Sequence, residues 1–270
     1  MAQGKSFGKY LRRSRFWMAV AAGGVLLGGA SQPAYAHARH YAFNQEYQTL
    51  PQGLFEVESH TTAAVPRVGK HSSENSWLYE EELEYGVTDH LNIAHYQQWG
   101  TENKEGLDDD GVPNKDVTRY AGFKFETKYR IAEKGKYWVD PLIYIEYAYD
   151  PRSRKEGAPH EFENKIVLSK DFGKWNATYN QIMDSKLGHK GRTEQEFTFG
   201  LNRELLSGFH AGFEMKGQYW NPGRNRNELA MGPVLACEGK YFWIAAGVLF
   251  GATRVTDDFQ ASVSVGIPIG

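Results

Sequence analysis

Phe209-His210-Ala211-Gly212-Phe213-Glu214-Met215-Lys216-Gly217-Gln218-Tyr219 decides how the chain is read. Phe209, Ala211, Phe213, Met215 and Tyr219 share one parity, while His210, Gly212, Glu214, Lys216 and Gln218 share the other. Successive side chains of an extended strand point to opposite faces, so this stretch predicts a strand with one apolar and one polar face. Phe259, Ala261, Val263, Val265 and Ile267 repeat the pattern against Gln260, Ser262, Ser264 and Gly266. So do Phe197, Phe199 and Leu201 against Glu196, Thr198 and Asn202, and Trp77, Tyr79, Leu83 and Tyr85 against Glu80, Glu82 and Glu84.

Outward from these, the alternation predicts twelve strands, near 53–63, 76–87, 91–100, 117–130, 138–150, 160–170, 174–184, 193–204, 208–220, 227–237, 241–252 and 258–269. No helical period of useful length accompanies them. Short breaks carry turn residues: Thr88-Asp89-His90, Glu133-Lys134-Gly135-Lys136, Asp171-Phe172-Gly173, Leu206-Ser207-Gly208 and Glu238-Gly239-Lys240. Between them fall mostly longer, polar breaks at 64–75, 101–116, 151–159, 185–192 and 221–226, with a short last one around 253–257. Tight turns at one end and long loops at the other are the habit of outer-membrane barrels. A soluble sandwich needs Greek-key crossings and has no reason to alternate its loop lengths. The expected fold is therefore all-β: an antiparallel up-and-down transmembrane β-barrel of about 12 strands, with both termini on the periplasmic side.

Composition agrees. Aromatic residues make up 14% of the 270, with 16 Tyr, 15 Phe and 7 Trp, as two interfacial girdles require. The mean hydropathy of −0.59 is low because polar inward positions dilute the apolar outward ones. With one cysteine, Cys237, no intramolecular disulfide can form; it reads as a small apolar residue on a packed or lipid face.

Residues 1–36 have the parts of a secretory signal peptide. Lys5, Lys9, Arg12, Arg13 and Arg15 form a basic start, Phe16 to Ala30 an apolar run, and Ala34-Tyr35-Ala36 a cleavage site. The apolar run is short for a membrane span, which needs about 20 residues. The expected organisation is 1–36 signal peptide, 37–52 N-terminal periplasmic segment and 53–270 barrel. Five of the 31 bases leave with the leader and no acid does, so 26 bases face 33 acids, a formal charge of −7. That balance argues against a nucleic-acid partner.

Several turns carry a family texture. Thr49-Leu50-Pro51-Gln52-Gly53 leads into Phe55-Glu56-Val57-Glu58, followed by Glu84-Tyr85-Gly86-Val87-Thr88-Asp89-His90-Leu91, Leu168-Ser169-Lys170-Asp171-Phe172-Gly173 and Gly232-Pro233. These motifs resemble the outer-membrane barrels of the transporter-like "MetA-pathway of phenol degradation" family, over most of the mature chain. The resemblance implies passage of a small organic molecule, and carries over no catalytic residue. The chain departs from many such barrels at its end, Ile267-Pro268-Ile269-Gly270, where assembly machinery usually reads an aromatic residue.

Parity places charges on the lumen side. The inward acids are Glu56, Glu58, Glu80, Glu82, Glu84, Glu126, Asp140, Glu146, Glu161, Glu163, Glu194, Glu196, Glu214 and Glu228; the inward bases are Lys124, Lys128, Lys165 and Lys216. His60 and His210 share that face, and Glu58, Glu82, Glu84, Glu126, Glu146, Glu163, Lys165, Glu196, His210, Glu214 and Lys216 are the lumen-lining candidates. Glu81, Arg119 and Arg203 fall on the outward parity, against the register.

An acidic lumen favours cations, so a channel or transporter-like pore for small solutes is the first expectation. A closed structural or small-ligand barrel, plugged by paired charges, is the alternative. A lipid hydrolase comes third: His95 in Ala94-His95-Tyr96-Gln97-Gln98-Trp99 has no serine in a matching motif. No enzyme, cofactor or metal is therefore expected. Asp108-Asp109-Asp110-Gly111 lacks the ligand spacing of a calcium loop. His37 and His40 lack further ligands within a flexible chain end. The expected setting is the bacterial outer membrane, with its lipid, the barrel-assembly machinery and a small solute as partners.

Overall fold

The computed structural model describes residues 38–66, 76–102, 117–189, 191–220 and 227–269. The expected leader, the Asp108–Gly111 loop and the last residue lie outside them.

Twelve strands form in the order β1 (Phe55–Val65), β2 (Ser76–Thr88), β3 (Leu91–Glu102), β4 (Val117–Arg130), β5 (Asp140–Tyr149), β6 (His160–Phe172), β7 (Trp175–Leu187), β8 (Arg192–Leu206), β9 (Phe209–Trp220), β10 (Glu228–Glu238), β11 (Trp243–Gly251) and β12 (Phe259–Ile269). Each pairs antiparallel with its sequence neighbour, and β1 pairs with β12, from Phe55 opposite Ile269 to Val65 opposite Phe259. The sheet is thus a closed barrel with no free edge. Helix is confined, among the described residues, to a 3-10 turn over Pro151–Glu156 in one loop.

The alternation of the sequence becomes the two faces of this wall. Leu83, Ile93, Phe125, Ile166, Leu235, Val263 and Ile267 are each 42–54% exposed on the outside. In water so much apolar surface would drive aggregation, whereas hydrocarbon is its matching solvent. Trp138, Tyr137, Tyr241, Phe242, Phe172 and Trp175 are exposed around the short-turn end, and Trp77, Tyr120 and Phe259 around the other. Those two groups are the aromatic girdles of a membrane barrel. The short turns mark the periplasmic end. This is an outer-membrane β-barrel, and its place is the bacterial outer membrane.

The three charges that opposed the register each find a local reason. The β3–β4 register shifts between Gln98 and Trp99, which face Gly122 and Tyr120, so Ala121 is an extra residue. Gly122 takes φ +129 there, and a Cβ on it would lie 1.9 Å from Tyr149 O, so only glycine fits. Past this bulge, parity inverts and Arg119 lies opposite Gly100 on the lumen side. Arg203 is exposed beside the Trp175 ring, 5.4 Å from its centroid, at the aromatic girdle. Glu81 does stay outside, with the Ser59 hydroxyl donating to it at 2.9 Å. Cys237 is exposed on the same face as Leu235.

Residues 38–50, ahead of β1, are neither strand nor free periplasmic tail. Ala38, Tyr41, Asn44, Glu46, Tyr47, Thr49 and Leu50 are all under 9% exposed, because this segment lies inside the barrel. Apolar contacts hold its two ends to the wall. Ala38 packs with Ala236, Trp243 and Ala245, and Tyr47 with Leu142, Tyr144 and Val167.

Candidate functional site

The site is the lumen, and the N-terminal segment is its central part. From β1 backwards, the segment runs round the inner wall near the periplasmic turns. The Thr49 hydroxyl donates to Asp89 O at 2.7 Å, and Tyr47 donates its hydroxyl to Ala132 O. The Asn44 amide donates to Thr178 O at 2.9 Å, while its oxygen accepts from Asn180 and Thr198. Glu214 of β9, 1% exposed, accepts the backbone N–H groups of Ala42 and Phe43 at 3.0 and 2.9 Å. Tyr41 donates its hydroxyl to the Asn176 carbonyl at 2.9 Å. Arg39 then reaches back to β1 and β2, with Nε 3.0 Å from Glu58 and Nη2 3.2 Å from Glu82.

Small wall residues make room for this ring. A Cβ on Gly200 would fall 2.3 Å from the Tyr41 ring, and one on Gly247 would fall 2.9 Å from Ala42 Cβ.

The wall opposite the segment is a network of paired charges, as burial of ions demands. Lys128, 1% exposed, sits 2.6 Å from Glu84 and 3.2 Å from Glu126. Tyr96 donates its hydroxyl to Glu126 at 2.5 Å, and Asn92 donates to Glu84 at 2.6 Å. His60 lies between Glu58 and Glu82, at 3.3 and 3.0 Å. Lys124 bridges Glu80 and Glu146, and Lys165 pairs with Glu163 at 2.9 Å. Gln218 donates to Glu194 and Glu196.

Every lumen-lining candidate therefore lies on the inner face, but they divide into groups. Glu58, Glu82, Glu84 and Glu126 are buried in the charge network beside the segment. Glu126, Glu146, Glu163, Lys165 and Lys216 line a polar cavity of about 310 Å³ above it, floored by Tyr41, Ala42, Phe43, Asn44 and Gln45. Glu196 and Lys216 border a smaller recess of about 80 Å³. His210 lies on the other side, in a cavity of about 180 Å³ with His40, Lys134, Asp171 and Glu204. Glu214 holds the segment itself. His95 turns outward, against Phe125 at a centroid distance of 4.7 Å, with Nδ1 3.1 Å from Lys124 O.

His40 was legible only as a lone histidine near a chain end. Its Nδ1 lies 2.9 Å from Glu46 and its Nε2 3.6 Å from Glu238. Burial opposes a charge on the ring, yet these two carboxylates outweigh it and lift the pKa to about 10. Arg39 and the small residues Gly200 and Gly247 were likewise missed. The signal that could have found them is a pair of buried-type tyrosines, Tyr41 and Tyr47, in a short segment before the first strand.

The geometry defines an outer-membrane barrel whose lumen holds its own N-terminal segment between two polar cavities. The chain belongs to the "Family of unknown function (DUF6662)", whose model matches residues 33–177. No curated protein matches it. Among solved structures it is similar to the COG4313 outer membrane channel from Pseudomonas putida F1, with TM-score 0.53 and 11% identity over 83% of this chain and 98% of that one. The translocator domain of the autotransporter NalP from Neisseria meningitidis aligns with TM-score 0.46 and 10% identity, over 80% and 88%. OprB from Pseudomonas putida, in its low-pH structure, aligns with TM-score 0.37 and 7% identity, over 80% and 91%. At 11% identity the likeness to the COG4313 channel speaks for the fold alone.

Proposed function

We propose that the protein is an outer-membrane channel for small polar or cationic solutes, closed at rest by residues 38–50. The observation that carries this reading is how the segment is held. Side-chain and backbone hydrogen bonds fasten it across the lumen, with a polar cavity of about 310 Å³ on one side and one of about 180 Å³ on the other. Between its two apolar ends the segment is fastened by polar contacts, which exchange with water more readily than a packed apolar core does. The turn motifs that resemble the MetA-pathway of phenol degradation family, and the fold shared with a protein described as an outer membrane channel, support the same reading. Its partners are then the solute, outer-membrane lipid around the apolar belt, and the barrel-assembly machinery.

Planar-bilayer conductance of the refolded mature chain tests this, against a chain that starts at residue 51. The mature chain is expected to show small or brief openings and the truncated one a large, steady conductance. Equal conductance would overturn the gate. A second reading, a closed barrel that binds a small polar ligand in the outer cavity, draws on the buried charge network around Lys128. It predicts that the truncated chain conducts no better.

A further inference from the structure

We propose that His40, His210 and Glu238 form a binding site for a divalent transition-metal ion that clamps the N-terminal segment to the barrel wall. The three come from separate places: the lumenal segment, the start of β9 and the end of β10. One donor atom from each lies within 4.8 Å of the others. The two imidazole rings stand 4.0 Å apart between centroids, tilted by 36°.

Hydrogen bonding prepares His40 as a ligand. Glu46 accepts the His40 backbone N–H at 2.6 Å through one oxygen and meets Nδ1 at 2.9 Å through the other. A carboxylate only accepts, so Nδ1 keeps its proton toward Glu46, and it is the proton on Nε2 that a metal ion would replace. Nε2 faces the Glu238 carboxylate, 3.6 Å away, at more than ordinary hydrogen-bond length. Neither ring nitrogen of His210 has a hydrogen-bond partner, although both are buried. An imidazole and a carboxylate that share a proton, beside a second imidazole with no partner at either nitrogen, form a three-ligand set in which a metal cation can take the proton's place. Carboxylate–imidazole–metal is the usual outer arrangement of histidine ligands, since it fixes the tautomer and the ring.

The spacing suits a small ion. Ligand atoms about 2.0–2.1 Å from a tetrahedral zinc lie about 3.3 Å from one another. The 3.6 Å between Nε2 and the carboxylate needs little closure. Two imidazoles with one carboxylate select zinc, copper or nickel over magnesium and calcium, which take oxygen ligands. His40 and His210 both border the cavity of about 180 Å³ on the periplasmic side, which gives an entry path and room for water as fourth ligand. Other tight groups, such as Glu58, His60 and Glu82, are already served by Arg39, and those around Glu84 and Glu126 by Lys128. Among the described residues, no lysine or arginine is paired with Glu238 or Glu46. A metal here displaces a proton from between the ligands, so binding releases protons.

The test uses the refolded mature chain, titrated with cobalt(II) and then zinc(II). One cobalt per chain should bind, with the visible absorption of a four-coordinate site, and one zinc should displace it. H210Q and E238Q should each weaken binding about a hundredfold, and E46Q, acting through His40, about tenfold. H90Q, at an exposed turn, should change nothing. Retention of the folded band in unheated electrophoresis shows that each variant still forms the barrel. Absence of one-to-one binding, or affinity unchanged in both H210Q and E238Q, overturns the site. Neither result touches the gated-channel reading, which conductance tests without metal.

Discussion

At the scale of single residues, the lumen is governed by groups whose partners lie far away in sequence. Glu214 satisfies two backbone N–H groups of a segment about 170 residues earlier. Each such bond contributes about 1 kcal/mol net, and a buried N–H left without one costs more. Glu214→Ala should therefore shift the segment toward its released state by about 2 kcal/mol, roughly 30-fold. The measure is open probability in bilayers, together with the rate at which added protease cuts residues 38–50. A conductance like that of the unmodified chain would show that the segment does not depend on this anchor. Asp150 makes a smaller, pH-dependent latch in an outer loop. It accepts the Arg152 backbone N–H at 2.8 Å, the Arg152 guanidinium at 3.0 and 3.1 Å, and the Ser153 hydroxyl at 3.2 Å. Burial pushes its pKa up, but those hydrogen bonds outweigh it and hold the carboxyl below its ordinary 3.8. The latch is fully present above that ordinary value and is lost as pH falls through the lower folded one. Amide exchange over 152–157 should thus accelerate, beyond the intrinsic rate, as pH falls below the ordinary 3.8. Asp150→Asn should abolish the difference.

At the scale of elements, alternation carries most of the information, and bulges carry what alternation loses. All twelve strands were legible, with ends within three residues of those observed, because a wall between lipid and a polar lumen enforces period two over its whole length. The parity of Glu82, Glu126 and Glu214 was legible for the same reason. The bulge at Ala121 was not. Its cause is a glycine conformation and a close approach to Tyr149 O, and neither leaves a periodic trace. The lumenal segment was illegible too, since residues 38–50 follow no period and their partners are spread over nine strands and two turns. What the sequence does hold is the complementary space. Gly200 and Gly247 stand at inward positions where larger residues would suit a plain strand. Gly200→Leu would drive a side chain through the Tyr41 ring, already 2.3 Å from a bare Cβ. Overpacking of this kind costs about 1–3 kcal/mol, and expelling the segment relieves it. The variant should fold, remain open in bilayers and expose residues 38–50 to protease. Normal closure would mean that Tyr41 can repack without leaving.

At the scale of the whole molecule, the question is which charge the passage presents. Parity counts fourteen inward acids against four bases, but the folded lumen adds one cation that parity does not count. Arg39 stands between Glu58 and Glu82, and the outer cavity sets Arg39, Lys124, Lys165 and Lys216 against Glu80, Glu126, Glu146, Glu161 and Glu163. The intact protein is thus close to balance where a solute would enter, and any brief opening should discriminate weakly. Removing residues 38–50 changes that. Arg39 leaves with the segment, while Glu56, Glu58, Glu82, Glu84 and Glu126 stay on the wall with His60 and Lys128. Low-dielectric walls focus the field of such an excess. The truncated channel should therefore be clearly cation-selective, more so than the intact one. Its selectivity should fade as salt rises, because screening acts beyond about 8 Å at physiological strength. Reversal potentials in a potassium chloride gradient measure both effects. E58Q and E82Q together, in the truncated chain, remove the charges that Arg39 had balanced and nearly keep their shape. They should return the reversal potential most of the way toward zero. Anion preference in the truncated channel, or a selectivity that E58Q and E82Q leave unchanged, would mean that other groups set the field in the lumen.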